Sequence, residues 1–122
     1  IKKARRVRKV FGGGMRQAGF LAAAGIYALD NNITRLKEDH TRAKELGKLL
    51  SSLPYVESVM RVDTNIVIFN LTDKYTAVSF EEAFNPYDIK LAAFGKQTIR
   101  FVTHLDFTDE MLTKVIEVLK TL

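Results

Sequence analysis

Three consecutive glycines, Gly12 to Gly14, constrain the fold of this chain more than any other feature. Glycine has no Cβ and weakens helices and strands, so three in a row predict a sharp turn between two separate segments. The segment before them, residues 1–11, is rich in Arg and Lys and has apolar side chains at spacings of three and four. That spacing predicts a helix with one apolar face, which the glycines end.

The segment after the glycines is rich in alanine and apolar on nearly every side. This predicts a helix from about Met15 to Leu29 that is buried by close-packed neighbours or by another subunit. That start would place Arg16 near a helix N-terminus, where free N–H groups favour a phosphate or a carboxylate. Asp30 to Asn32 are expected to end this helix and to cap the next one.

The net charge of +5 comes from one end of the chain. Seven of the 19 basic residues precede residue 17, and no acidic residue occurs before Asp30, so the rest carries 12 basic and 14 acidic residues. A basic N-terminal arm of this kind, residues 1–16, is typical of segments that bind a phosphate group. Nucleic-acid readers add aromatic side chains that stack on bases, and only Phe11 is close by, so no nucleic-acid partner is expected.

Composition narrows the class of protein further. A chain of 122 residues that is 47% hydrophobic is about one globular domain. The absence of cysteine excludes disulfides and thiolate metal sites, and no metal site is expected. No apolar run reaches the roughly 18 residues of a membrane span, and no signal segment is evident, so we expect a cytoplasmic protein without a membrane partner.

The remaining residues alternate between helical and extended patterns. A helix is expected over residues 33–53, followed by strands over 56–62 and 64–71, a short helix with a capping box at Ser79 to Glu82, a hairpin of 89–94 with 98–104, and a last helix that Thr108 opens. The apolar stripe of the helix over 33–53 comprises Ile33, Leu36, His40, Ala43, Leu46, Leu50 and Leu53. This order predicts an α+β fold, in which helices pack on a small, mostly antiparallel sheet that a helical arm precedes.

Few of these residues have side chains that could take part in binding or catalysis. Arg100 lies between Ile99 and Phe101 in a predicted strand, so it points away from the core if they point into it. An arginine placed so can bind a carboxylate, although a solvent-facing arginine is the commoner case. Thr103, His104 and Asp106 follow, but no serine or cysteine is spaced to complete a triad, and Asp106 and Thr108 are expected in a turn and a cap. His40 has no partner in register and is expected to be structural.

Five segments together resemble the C-terminal part of the low-specificity L-threonine aldolases, which are lyases that use pyridoxal 5'-phosphate and have the aspartate-aminotransferase-like fold. They are Arg5 to Gly19 with its RKxxGGGMRQAG motif, Ala22 to Leu29, Arg35 to His40, Thr64 to Val67 and Ile99 to His104. The resemblance implies cleavage of a β-hydroxy amino acid such as L-threonine or L-allo-threonine into glycine and acetaldehyde, with the cofactor ring as electron sink. It also implies a homo-oligomer, a dimer or a tetramer.

The resemblance assigns roles to individual residues. Arg100 matches the arginine that holds the substrate α-carboxylate in that family. Arg16 and Lys9 would lie near the cofactor phosphate, whereas His104 and Asn65 would be structural. The family's Schiff-base lysine lies upstream of the glycines, so no catalytic residue is expected in this chain, which would be a C-terminal fragment, inactive alone.

The domain division that follows places an arm from the large-domain end in residues 1–32 and a C-terminal small domain of a fold-type-I enzyme in residues 33–122. A related β-eliminating lyase of the same fold is the nearest alternative. The others are a stand-alone nucleic-acid-binding or dimerisation module with a basic arm, and a remnant that self-associates through an uncovered apolar surface around Phe20, Leu21 and Tyr27.

Overall fold

The computed structural model describes residues 1–122, which divide into two units, Ile1–Thr34 and Arg35–Leu122. The first unit contains two helices, α1 (Lys2–Val10) and α2 (Gly19–Asn32). No side chain of either helix is buried within the described chain. The expected helix before the glycines is therefore confirmed, and its apolar face is exposed.

The glycines form the C-terminal cap of α1. Gly12 has a φ of +80°, a conformation that glycine adopts at little cost. Its N–H donates to Lys9 O (3.1 Å), and the N–H of Gly13 donates to Arg8 O (2.8 Å), which is the pattern of a Schellman motif. A Cβ on Gly13 would lie 2.6 Å from Arg8 Cγ, so the turn also needs glycine there for space.

Both predicted ends of α2 were wrong. The helix begins at Gly19 rather than near Met15, because Gln17 has a φ of +52° and a left-handed residue cannot continue a right-handed helix. Arg16 therefore lies three residues before the helix. The helix also runs through Asn32, since Asn31 Nδ2 bonds Tyr27 O (2.9 Å) inside the helix instead of capping the next one.

The second unit contains an antiparallel sheet of four strands in the order β1-β2-β4-β3. The strands are β1 (Val56–Val59), β2 (Ile66–Leu71), β3 (Ala92–Ala93) and β4 (Thr98–Val102). The central strand β2 is mostly β-branched and aromatic, as a half-buried strand requires. The predicted α+β class, the antiparallel sheet and the hairpin of β3 with β4 are confirmed.

Three helices, α3 (Leu36–Leu50), α4 (Ala77–Phe84) and α5 (Asp109–Thr121), complete the unit, and a 3-10 turn at Asn85–Tyr87 follows α4. Their apolar faces form one core with the sheet. Its buried residues are Ala43, Leu46, Leu50, Tyr55, Val67, Phe69, Leu71, Ala77, Phe80, Phe84, Ile99, Leu112, Val115, Val118 and Leu119. The expected Thr108 cap of α5 is confirmed, because its side chain accepts a hydrogen bond from Met111 N (3.3 Å).

The start and the buried stripe of α3 differ from the prediction. The helix begins at Leu36 and ends at Leu50, and both Ile33 and Leu36 are exposed. Asp39 is buried on the stripe, whereas the neighbouring His40 is half-buried. The carboxylate of Asp39 can be buried because Arg35 donates two hydrogen bonds to it, at 2.7 and 3.0 Å.

The cap of α4 lies three residues before the predicted one. Thr76 is the N-cap, and its hydroxyl accepts from Ser79 N (3.1 Å) while Ser79 Oγ accepts from Thr76 N (3.0 Å). Ser79 is thus the third helical residue of the capping box and not its first member. The predicted cap at Ser79 was therefore wrong, because the helix already begins at Ala77.

Candidate functional site

Arg100 occupies the middle of β4, with Ile68 of β2 on one side and Ala92 of β3 on the other. The adjacent Ile99 is fully buried, and Arg100 is exposed on the opposite face of the sheet. The predicted orientation of Arg100 is therefore confirmed. A strand with a partner on each side also gives this arginine a rigid base.

No side chain of opposite charge contacts Arg100. Its guanidinium carbon lies 5.2 Å from the centre of the Phe94 ring, in a cation–π arrangement. The side chain of Arg100 takes part in none of the ion pairs or hydrogen bonds of the structure. Its N–H donors therefore stay available to a ligand.

A depression of about 470 Å³ opens beside Arg100. Its polar side chains include Lys90, Arg100 and His104, and the lining contains no carboxylate; the apolar lining comprises Leu46, Ile89, Leu91, Ala92, Phe101, Val102, Phe107 and Val115. Basic groups beside an apolar lining suit an anionic ligand that carries a small apolar part. The structure thus brings Arg100 and His104, two of the residues singled out in the sequence, to one surface.

Hydrogen bonds of Asn65 and Thr103 connect the end of β4 to the rest of the second unit. Asn65 Nδ2 donates to Thr103 O (2.7 Å), and Thr103 N donates back to Asn65 O (3.0 Å). The buried hydroxyl of Thr103 donates to Asp39 O (2.8 Å), which ties the strand to α3. These bonds favour the structural role expected of Asn65, and they hold the chain just before His104.

His104 is held by the turn that follows it. Its Nδ1 accepts a hydrogen bond from Asp106 N (3.2 Å), and the Asp106 carboxylate lies 3.8 Å from the same nitrogen. If Nδ1 accepts, the neutral imidazole carries its proton on Nε2. Asp106 is therefore a turn residue, as expected, and the buried Thr103 hydroxyl bonds Asp39 rather than His104.

The rest of the chain holds no cluster of metal-binding type. No group of three or more His, Cys, Asp or Glu side chains is arranged so that it could hold a metal ion. None of the helices has the combination of length and hydropathy that a membrane span requires. His40 takes part in no ion pair or side-chain hydrogen bond. Nothing in its surroundings gives it an acid–base partner.

Lys9 and Arg16 lie in the first unit and are exposed. A Cβ on Gly14 would lie 3.4 Å from Lys9 Cγ, so the lysine stem runs beside the glycines. Lys9 follows a run of basic residues, and no ion pair of the structure involves Lys9 or Arg16, so both cations fit a phosphate. The glycine cradle itself fits less well, because the N–H groups of Gly12 and Gly13 are already bonded to α1.

The sequence interpretation missed two residues near Arg100, namely Phe94 and Lys90. The signal for Phe94 was the hairpin register. If Ala92 pairs with Arg100 across a turn at residues 95–97, Phe94 lies diagonal to Arg100 on the same face. The register could be proposed from the glycine turn, but only the paired strands established it.

Comparison with known proteins finds relatives over nearly the whole chain. The chain is 43% identical over 115 residues to the low specificity L-threonine aldolase of Escherichia coli (strain K12), and the match covers 94% of this chain and 33% of the relative. It is 36% identical over 111 residues to low-specificity L-threonine aldolase 1 of Arabidopsis thaliana, with 88% and 31% covered. A probable low-specificity L-threonine aldolase of Schizosaccharomyces pombe is 33% identical over 120 residues, with 98% and 28% covered.

The chain therefore spans about a third of the length of these relatives. A family model described as beta-eliminating lyase matches residues 1–74, which include both helices of the first unit, α3, β1 and β2. That match takes in more than half of the 122 residues. Because this match covers more than half of its length, the chain belongs to the beta-eliminating lyase family.

Proposed function

We propose that this chain is the C-terminal part of a pyridoxal-phosphate-dependent lyase that cleaves L-threonine and L-allo-threonine to glycine and acetaldehyde. The names of the relatives support this activity, and their greater length supports a larger parent protein. In this proposal residues 1–32 are an arm from the large domain and residues 33–122 are the small domain. The Schiff-base lysine is placed outside the 122 residues.

The observation that carries the proposal is the exposed, unpaired guanidinium of Arg100 on a rigid strand beside a depression without carboxylates. A guanidinium presents two parallel N–H groups to a carboxylate, which fixes both the position and the direction of the bound amino acid. Arg100 would hold the substrate α-carboxylate in this way. The orientation that it imposes decides which bond of the substrate is aligned for cleavage.

Lys9 and Arg16 would hold the phosphate group of pyridoxal 5'-phosphate in a parent enzyme that is a dimer or a tetramer. Their exposed side chains and the absence of acidic residues before Asp30 support this assignment. The cofactor, when bound, supplies the electron sink for the bond cleavage. We place the enzyme in the cytoplasm.

The experiment that tests the proposal replaces Arg100 in the full-length enzyme. Arg100→Lys keeps the charge and loses the two parallel donors, so KM for L-threonine should rise about 10- to 100-fold, the effect of one lost charge-assisted pair. Arg61→Lys is the matched control, because Arg61 is an exposed arginine that pairs with Asp63 (2.7 Å) away from the depression. An unchanged KM in Arg100→Lys would contradict the assignment.

A second candidate activity is β-elimination, which the description of the family model favours. The two activities are separated by their products. Retro-aldol cleavage of L-threonine yields glycine and acetaldehyde, whereas β-elimination yields a keto acid and ammonia. Assay of the purified parent for both product pairs decides between them, and keto acid without glycine would reject the aldolase proposal.

A further inference from the structure

We propose that Phe94 is a positioning residue, whose ring holds the Arg100 guanidinium in the orientation that meets a ligand carboxylate. The inference rests on the proposed function for the identity of that ligand. The contact itself is a property of the hairpin formed by β3 and β4.

The geometry of the contact is that of a cation over an aromatic face. The guanidinium carbon lies 5.2 Å from the ring centre, within the range in which the ring quadrupole attracts a cation. Phe94 is 58% exposed, so its ring is not explained by core packing. A role in holding Arg100 accounts for a large aromatic side chain at this exposed position.

Three backbone hydrogen bonds hold the turn that carries Phe94. Phe94 N donates to Thr98 O (2.9 Å) across the turn, and Ala77 N at the start of α4 donates to Lys96 O (2.9 Å). Leu71 N at the end of β2 donates to Gln97 O (2.8 Å). Arg100 lies in the strand that leaves this turn, so the ring and the guanidinium share one rigid frame.

An aromatic partner has a chemical advantage over an acidic one at this position. A carboxylate next to Arg100 would accept its N–H groups and neutralise its charge, and a ligand carboxylate would then have to displace it. The ring attracts the cation and has no carboxylate oxygen to accept from its N–H groups. Phe94 thus orders Arg100 without competing with a carboxylate ligand.

The contact can be tested in the 122-residue chain by NMR, without cofactor or substrate. Protons over an aromatic face resonate upfield, so the side-chain resonances of Arg100, assigned through Arg100→Lys, should lose their upfield displacement in Phe94→Leu and keep it in Phe94→Tyr. Arg61 resonances serve as the internal control and should not move. Arg100 resonances that are unchanged in Phe94→Leu would overturn the inference.

The function of the contact is tested by kinetics in the full-length enzyme. Phe94→Leu should raise KM for L-threonine about two- to fivefold, the range for an exposed cation–π contact, with kcat retained, and Phe94→Tyr should restore KM. In an Arg100→Lys background the same substitution should add little, because the two residues act as a unit. Tyr87→Leu, a change of another surface aromatic, is the control.

The outcomes separate the two proposals. If Arg100→Lys raises KM and Phe94→Leu does not, or if the two effects multiply independently, Phe94 does not position Arg100 and only this inference fails. If Arg100→Lys leaves KM unchanged, the proposed function fails at Arg100 and the role of Phe94 in binding fails with it. A loss of activity in Phe94→Leu that Phe94→Tyr does not restore also overturns the inference.

Discussion

Tyr55 is 2% exposed, and its hydroxyl donates a hydrogen bond to Leu119 O near the end of α5. The last carbonyl groups of a helix have no partner within it, so this bond satisfies one of them. The ring packs against Tyr75 and Phe80, with ring centres 5.6 and 6.0 Å away. Burial, and secondly the nearby Tyr75, raises the pKa of Tyr55 well above its ordinary value.

This shift predicts a loss of stability in alkali. A tyrosine whose pKa is higher in the folded than in the unfolded state contributes fully to the free energy of unfolding below the unfolded pKa of about 10. That contribution is lost as the pH rises through the folded pKa. The free energy of unfolding should therefore decrease above about pH 10, by at most about 1.4 kcal/mol per pH unit from this residue. Tyr55→Phe should reduce that slope and cost about 1 kcal/mol at pH 7 through the lost hydrogen bond.

Urea unfolding at pH 7 and at several values above 10 measures both effects. Tyr87→Phe, at a partly exposed tyrosine in the turn after α4, should change the free energy of unfolding by less than about 0.5 kcal/mol at pH 7. An alkaline slope that is the same in Tyr55→Phe and in the unchanged chain would show that another group is responsible.

Asp39 shows how one residue can depend on contacts distant in sequence. Its carboxylate accepts hydrogen bonds from Arg35, the residue just before α3, whereas its carbonyl accepts one from the Thr103 hydroxyl after β4. The adjacent Arg42 donates to Asp109 Oδ1 (2.7 Å), which joins α3 to α5, and this hydrogen bond raises the pKa of Arg42. Polar contacts therefore join α3 to its neighbours in addition to its apolar stripe.

At the scale of the elements, two glycines within helices have opposite surroundings. A Cβ on Gly25 of α2 would meet nothing within 4 Å. A Cβ on Gly47 of α3 would lie 2.7 Å from Val62 Cγ2, and Val62 is β-branched and packs against the core. Gly25 therefore lies on an open surface of α2, whereas Gly47 allows Val62 to approach α3 closely.

Substitution of each glycine by alanine should have effects of opposite sign. Gly47→Ala should destabilise the second unit by about 1–3 kcal/mol through overpacking, as measured by urea unfolding. Gly25→Ala should stabilise α2 by up to about 1 kcal/mol, because alanine favours the helix, and far-UV circular dichroism should register more helix. Val62→Ala should recover part of the loss in Gly47→Ala, and a neutral Gly47→Ala would show that the helix and Val62 can separate freely.

At the scale of the whole molecule, burial is distributed unequally between the two units. Every residue of the core belongs to Arg35–Leu122, and none belongs to Ile1–Thr34. The large apolar side chains of α2 are exposed, among them Phe20 at 92%, Leu21 and Tyr27. An apolar surface of this kind is typical of a segment that binds another part of a protein or another subunit.

Hydrogen exchange should reproduce this distribution. Backbone amides of β2, β4 and α3 should be strongly protected, whereas those of α1 should exchange rapidly, since few buried contacts oppose local opening. Protection of α2 should rise with protein concentration if copies associate through Phe20, Leu21 and Tyr27. Exchange followed by mass spectrometry over a tenfold range of concentration measures this, and protection of α2 that does not depend on concentration would reject association through that helix.

Local patterns in the sequence determined much of this protein. Four features depend on residues near each other in the chain. They are the β-branched run of β2, the glycine turn between β3 and β4, the Thr108 cap and the end of α1 just before the glycines. The sequence alone therefore indicated an α+β fold with an antiparallel sheet. The resemblance carried by the glycine motif and by the segment around Arg100 indicated the family, which the comparisons confirmed.

Only the tertiary structure established the contacts between residues that are far apart in the sequence. It placed Asp39 in the core, moved the start of α2 to Gly19, used the amides of Gly12 and Gly13 to cap α1, and set the ring of Phe94 over Arg100. Periodicity assigns residues to faces, but it contains no information about which polar group finds a partner across the fold. Those partners make a buried carboxylate tolerable and leave the guanidinium of Arg100 free, because the free energy of a charged group is set by its neighbours in space.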